Sequence, residues 1–131
     1  MRSDELSDVR QEFAEWSAPI IADFLYEAYA ERIGSQHRTL RTLVTSHCRF
    51  WRSLLSGDDV KLAIHRRELA SLARLAGLPV SMIDAIDVGV LDELMSVTIS
   101  RFLRSPAVAR DYSQFMLRTA AHLSRAHTVL A

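Results

Sequence analysis

Little in this sequence punctuates or staples the chain. Of its 131 residues only four are glycine and three proline. Nearly all of these stand where a helical pattern breaks, so the chain has few places to turn. No alternating apolar–polar run bounded by turn residues occurs, which leaves no candidate strand. Internal repeats and low-complexity tracts are also missing. A single cysteine, Cys48, excludes an intramolecular disulfide and fits a reducing compartment. Neither sign of charge prevails: 16 Lys+Arg balance 16 Asp+Glu. The basic excess with which a nucleic-acid binder neutralises phosphates is therefore absent, and no nucleic-acid partner is expected. No apolar run approaches the ~20 residues that span a bilayer. The acidic, polar stretch from Met1 to Arg10 lacks the apolar core of a signal peptide. A cytoplasmic location with no membrane partner is expected.

What remains is helical. The 49% hydrophobic content suffices for one core, and a chain of this length buries about two-thirds of its unfolded surface without staples. The expectation is one all-α domain over residues 1–131, with about six helices. The first runs from about Asp4 to Ser17, with Ser3 as N-cap and Leu6, Val9, Phe13 and Trp16 as its stripe. Pro19 restarts or kinks the helix. The next segment carries Ile21, Phe24, Leu25 and Tyr29 to Ile33, with Gly34 as its C-terminal cap. A third helix from about Ser35 to Leu55 is predicted to bury Leu40, Leu43, Val44, Phe50, Trp51 and Leu54. A fourth, from Asp58 or Asp59 to Ala76, buries Leu62, Leu69, Leu72 and Ala73 before the Gly77-Leu78-Pro79 turn. The last two are the longest, about Val80–Leu103 and, after the Ser105-Pro106 start, to about Val129. The first of these has two apolar strips, Ile83, Ile86, Val90, Leu94 and Val97 on one side and Leu91, Met95 and Phe102 on the other. The last carries Tyr112, Phe115 and Met116. Helices apolar on more than one strip pack on more than one partner. A homodimer interface is expected at Leu91, Met95, Phe102, Tyr112 and Met116.

Motifs that carry chemistry are scarce. No phosphate loop, nucleophile elbow or zinc-protease motif occurs. The histidines, His37, His47, His65, His122 and His127, read as solvated helix-surface residues. The His65/Glu68 pair offers two metal ligands, short of a zinc site, so no metal is expected. Cys48 reads as a small buried residue. The charged residues sit mostly at helix-surface spacing, which argues against an enzyme. The segment Leu69–Ile83 fits a helix-turn-helix template and supplies an alternative, a DNA-binding regulator. Its second helix would present Ser81, Met82, Asp84, Asp87, Asp92 and Glu93 to the bases, an acidic face that phosphates repel.

Three landmarks occur in a telling order: Phe24-Leu25-Tyr26-Glu27, Phe50-Trp51-Arg-Ser-Leu-Leu-Ser-Gly57, and Arg74-Leu75-Ala76-Gly77-Leu78-Pro79. With the two long helices that follow, residues from about Phe13 to His127 resemble the sensor-globin family of globin-coupled sensors and protoglobins. The resemblance implies a globin-like bundle, dimerisation through the last two helices as a four-helix bundle, and a pocket between the third and fourth helices. It puts Tyr26 where the family has an oxygen-bonding pocket tyrosine, and the expected pocket is Tyr26, Phe24, Phe50, Leu72, Ala73 and Ile86. Haem-binding members carry a histidine four residues before the Gly of Gly-Leu-Pro, and here that residue is Ala73. A haem iron needs an axial donor, and His65 lies eight residues, about 12 Å, along the helix from Ala73. No cofactor is therefore expected. The expected function is a non-catalytic, haem-free globin-like sensor or interaction domain, which relays a signal to a separate output protein or binds an apolar small ligand. The alternative within the resemblance is a haem-binding gas sensor with a non-standard axial ligand, such as His47 or His65.

Overall fold

The computed structural model describes the backbone of residues 3–130 and the side chains of residues 9–125. The Ser3 cap and the Leu6 and His127 side chains lie outside that range. The described residues form five helices, α1 (Ser3–Ile33), α2 (Leu40–Ser56), α3 (Asp59–Leu75), α4 (Val80–Arg101) and α5 (Pro106–Leu130). No strand occurs among the described residues, and no helix among them is long and apolar enough to cross a membrane.

The expected break at Pro19 does not occur; α1 runs straight through it. Proline removes one amide donor and crowds the carbonyl four residues back. Here Pro19 and Glu15 are both exposed, so the freed carbonyl faces water. Phe13, Ser17, Ile21 and Leu25 are all buried at spacings of four, so one stripe stays in register on both sides of the proline. Six expected helices therefore become five.

α2 begins at Leu40, five residues later than expected. Gly34, at φ +90°, ends α1 with its N–H on the Ala30 carbonyl at 2.8 Å. Thr39 then donates both its backbone N–H (3.1 Å) and its hydroxyl (2.6 Å) to Nδ1 of His37. The Thr39 side chain is thereby diverted from capping α2. α2 and α3 end alike. At Gly57 (φ +74°) and Gly77 (φ +75°) the chain enters the left-handed region. The next residue's N–H reaches back to the Ser53 carbonyl (3.1 Å) and the Ala73 carbonyl (2.8 Å) respectively. The Asp58 carboxylate accepts from the Lys61 N–H at 3.0 Å and starts α3.

α1 packs along α2, α2 along α3, and α4 along α5, while α1 also touches α4 and α5. Gly89 allows the close passage of α1 over α4, since a Cβ there would lie 2.7 Å from Phe24 Cζ. An aromatic cluster joins α1 to the start of α5. Phe13 meets Trp16, Tyr112 and Phe115 edge-on at centroid distances of 5.1–5.3 Å, and Phe102 meets Tyr112 at 5.0 Å. Burying one such side chain contributes about 1.5–3 kcal/mol, with a further ~0.5–1.5 for each edge-on pair.

The residues expected at a dimer interface lie in or against the core. Tyr112 and Met116 are buried within their own chain, and Leu91, Met95 and Phe102 are half-covered by the same core. The exposed large apolar side chains of α4, α5 and the turn between them are Val88, Ile99, Leu103, Val108 and Leu117.

Candidate functional site

The centre of the bundle is polar. Tyr29 of α1, His47 and Trp51 of α2, Arg66 of α3 and Asp87 of α4 are each at most 1% exposed. All five occupy stripe positions that an apolar residue would ordinarily fill, four residues after Leu25, Leu43, His47, Leu62 and Ile83 respectively. The Tyr29 hydroxyl lies 2.7 Å from His47 Nδ1, and His47 Nε2 lies 2.6 Å from Asp87 Oδ1. The Trp51 indole N–H donates to the same oxygen at 2.9 Å. Arg66 donates through Nη2 to Asp84 Oδ1 at 2.6 Å and holds Nη1 3.8 Å from Asp87 Oδ2, above the Phe50 ring at 5.6 Å.

An ionised carboxylate only accepts, so His47 Nε2 carries a proton and donates it to Asp87. Burial pushes the Tyr29 phenol far above its ordinary value, and the Asp87 carboxylate pushes it further. The phenol therefore keeps its proton and donates it to His47 Nδ1. The result is a Tyr–His–Asp chain closed by a tryptophan and an arginine, tying all of α1 to α4 together. A buried polar group without a partner costs more than its bond returns, and this network satisfies most of its members. Its gap is Arg66, whose Nε and Nη1 lack hydrogen-bond partners. Every member is buried.

Trp51 is also the one member that reaches an opening. Between α1 and α2 lies a groove of about 1090 Å³, lined by Ala14, Ala18, Ile21, Ala22, Leu55 and the buried Trp51, with Arg10 and Arg52 among its polar residues. Cys48 lines it too, and burial pushes its thiol up, which Arg52 partly opposes. A second groove, of about 890 Å³, lies between α2 and α3, where the apolar pocket was expected. Its lining residues are polar or charged, apart from Leu72.

The six expected pocket residues lie in different surroundings. Tyr26 is 48% exposed on the surface of α1. Phe24 lies against Gly89. Phe50, Ala73 and Ile86 are in the core, and only Leu72 lines a groove. Haem donors do not fit either. Ala73 is fully buried in the core, both ring nitrogens of His47 are engaged, and His65 turns outward to Glu68 at 3.4 Å. Of the residues expected at DNA base edges, Asp87 is in the core and Asp84 is paired with Arg66. No three His, Cys, Asp or Glu side chains converge as a metal site among the described residues.

The sequence reading missed the network because it took histidine and charged residues as surface residues. Their register with the apolar stripes was the available signal. Neither protein-family models, nor curated proteins, nor solved structures give a match to this chain.

Proposed function

We propose that this chain is a non-catalytic sensory or interaction module of globin-like type, which takes an apolar small molecule with an anionic head in the α1/α2 groove. The observation that carries the reading is the double position of Trp51. Trp51 is among the residues that line the groove, and its N–H holds the carboxylate on which the buried network converges. The groove walls suit an acyl or aryl body, and Arg10 and Arg52 suit a carboxylate or similar head. A ligand that turns the indole loads or releases the bond to Asp87, and through Asp87 biases α3 and α4. Coupling of this kind needs a packed element with discrete arrangements, which a buried hydrogen-bond network provides.

Burial of the Tyr29–His47–Asp87 chain supports the absence of catalysis, and the alanine at position 73 with both His47 ring nitrogens engaged supports the absence of haem. Dimerisation belongs to the same proposal, with Val88, Ile99, Leu103 and Leu117 as the apolar contacts that α4, α5 and the turn between them leave exposed. Delivery of the signal to a separate output protein then runs through that face. Calorimetric titration with dodecanoate tests the ligand. Saturable one-to-one binding that Ala18→Phe abolishes by filling the groove is expected. Equal binding by wild type and Ala18→Phe, or no binding at all, would sink the proposal.

A further inference from the structure

The groove between α2 and α3 has a different chemistry. Arg38, Arg41 and Arg49 from the α2 side and Arg67 from α3 line it, with Glu68 as the single carboxylate among its lining residues. Within a chain of zero formal net charge this is a local surplus of three positive charges. Among the described residues none of the four arginines has a carboxylate within ion-pairing distance, although Arg66, next in sequence to Arg67, has two. Like charges gathered without counter-ions oppose folding, so such a gathering is a feature to explain.

Two further observations point to an anion. First, Arg38 and Arg41 flank the start of α2, where the helix dipole is positive; the first turn holds no acidic residue and Thr39 provides no side-chain cap. Cations there are at the wrong helix end, and an anion is what that end attracts. Second, Ser46 lines the same groove, is 3% exposed, and its hydroxyl has no hydrogen-bond partner. A buried donor in that position is either a cost or half of an unmade bond.

The geometry points to a site for a small ligand bearing two or more phosphoryl groups. Arg41 and Arg49 are eight residues apart on α2, about 12 Å along its axis, and both line the groove, so a ligand with several phosphoryl groups engages both without drawing the two like-charged side chains together. No aromatic side chain lines the groove, so nothing is provided to stack on a base, and recognition falls on the phosphoryl oxygens. Guanidinium groups suit those oxygens through paired, charge-assisted hydrogen bonds. The volume is that of a small-molecule site. This site is separate from the α1/α2 groove and stands or falls independently of it.

The test is calorimetry of the full chain with inorganic orthophosphate, pyrophosphate and tripolyphosphate at constant ionic strength. Affinity is expected to rise along that series, with saturable one-to-one binding of tripolyphosphate. Arg41→Gln and Arg49→Gln are each expected to weaken it about tenfold or more, as loss of a charge-assisted bond does. Ser46→Ala is expected to weaken it less. Arg118→Gln, an exposed arginine on α5, is expected to leave it unchanged. All four variants are to be checked for wild-type helicity. No saturable binding would overturn the proposal, and so would equal weakening by Arg118→Gln, which would mean diffuse charge attraction. Binding confined to phosphatidylglycerol vesicles, with none to free tripolyphosphate, would overturn it as well.

Discussion

Asp87→Asn is the substitution that interrogates the buried network most sharply. It leaves shape and volume nearly unchanged. One amide oxygen still accepts from His47 and Trp51, which now lie 2.6 and 2.9 Å from Asp87 Oδ1. What disappears is the charge 3.8 Å from Arg66 Nη1, replaced by an amide N–H₂ aimed at a cation. Breaking a buried ion pair from one side costs about 3–5 kcal/mol. Arg66 keeps Asp84, whose carboxylate is partly solvated, so we expect the low end, about 3 kcal/mol. That is a large part of a total of roughly 5–15 kcal/mol. For this length it lowers Tm by about 10–15 °C, at roughly 3–6 °C per kcal/mol. The decisive comparison is with Arg66→Met and the double variant, by urea unfolding. Removing the cation as well relieves the uncompensated charge. The double variant should therefore be more stable than the sum of the single costs predicts, by at least about 1.5 kcal/mol. A neutral Asp87→Asn, or additivity within about 0.5 kcal/mol, would refute the pairing.

Other expectations follow from the same geometry. Gly57→Ala forces a side chain into a backbone at φ +74° and against the Arg10 guanidinium; it should cost about 1–2 kcal/mol, read as a lower urea midpoint. The Tyr29 phenol is raised above its ordinary value of 10.0 by burial and then by Asp87. Unfolded tyrosine ionises near that value while folded Tyr29 does not, so stability should be constant below it and fall as pH rises above it. Tyr29→Phe should flatten that fall in pH-resolved urea unfolding, and an unchanged slope would contradict the assignment. Titration with haemin should give no sharp, saturable Soret band, because position 73 is alanine and both ring nitrogens of His47 are engaged. A stoichiometric band lost in His47→Ala would contradict this.

How much of this was legible depended on which rule each segment obeyed. Helical periodicity placed α3 and α4 to within a few residues, and the Gly57 and Gly77 stops were readable because a left-handed backbone favours glycine. Pro19 misled because a local rule yielded to tertiary packing, although the spacing from Phe13 to Leu25 across it already carried the continuous stripe. The start of α2 was misplaced because Thr39 spends its hydroxyl on His37, a choice that propensity does not reveal. The larger error lay with His47, Arg66 and Asp87. Each falls in register with an apolar stripe, and three such residues on three successive helices signal a buried cluster. Which of them meet, however, depends on how the helices pack, and a stripe on one helix does not fix that. Tyr26 shows the converse. A landmark match placed it in a pocket, while its own position on α1, one residue from buried Leu25, turns it to solvent.

The most direct measurement is the fluorescence of Trp51 in a Trp16→Phe background during titration with dodecanoate. The account predicts a saturable shift in emission, because the ligand enters beside the indole and alters its bond to Asp87. It also predicts that the shift shrinks in Asp87→Asn while binding persists. Saturable binding by calorimetry with an unchanged Trp51 spectrum would contradict the claim that this residue links groove to network, and no binding would contradict the groove itself.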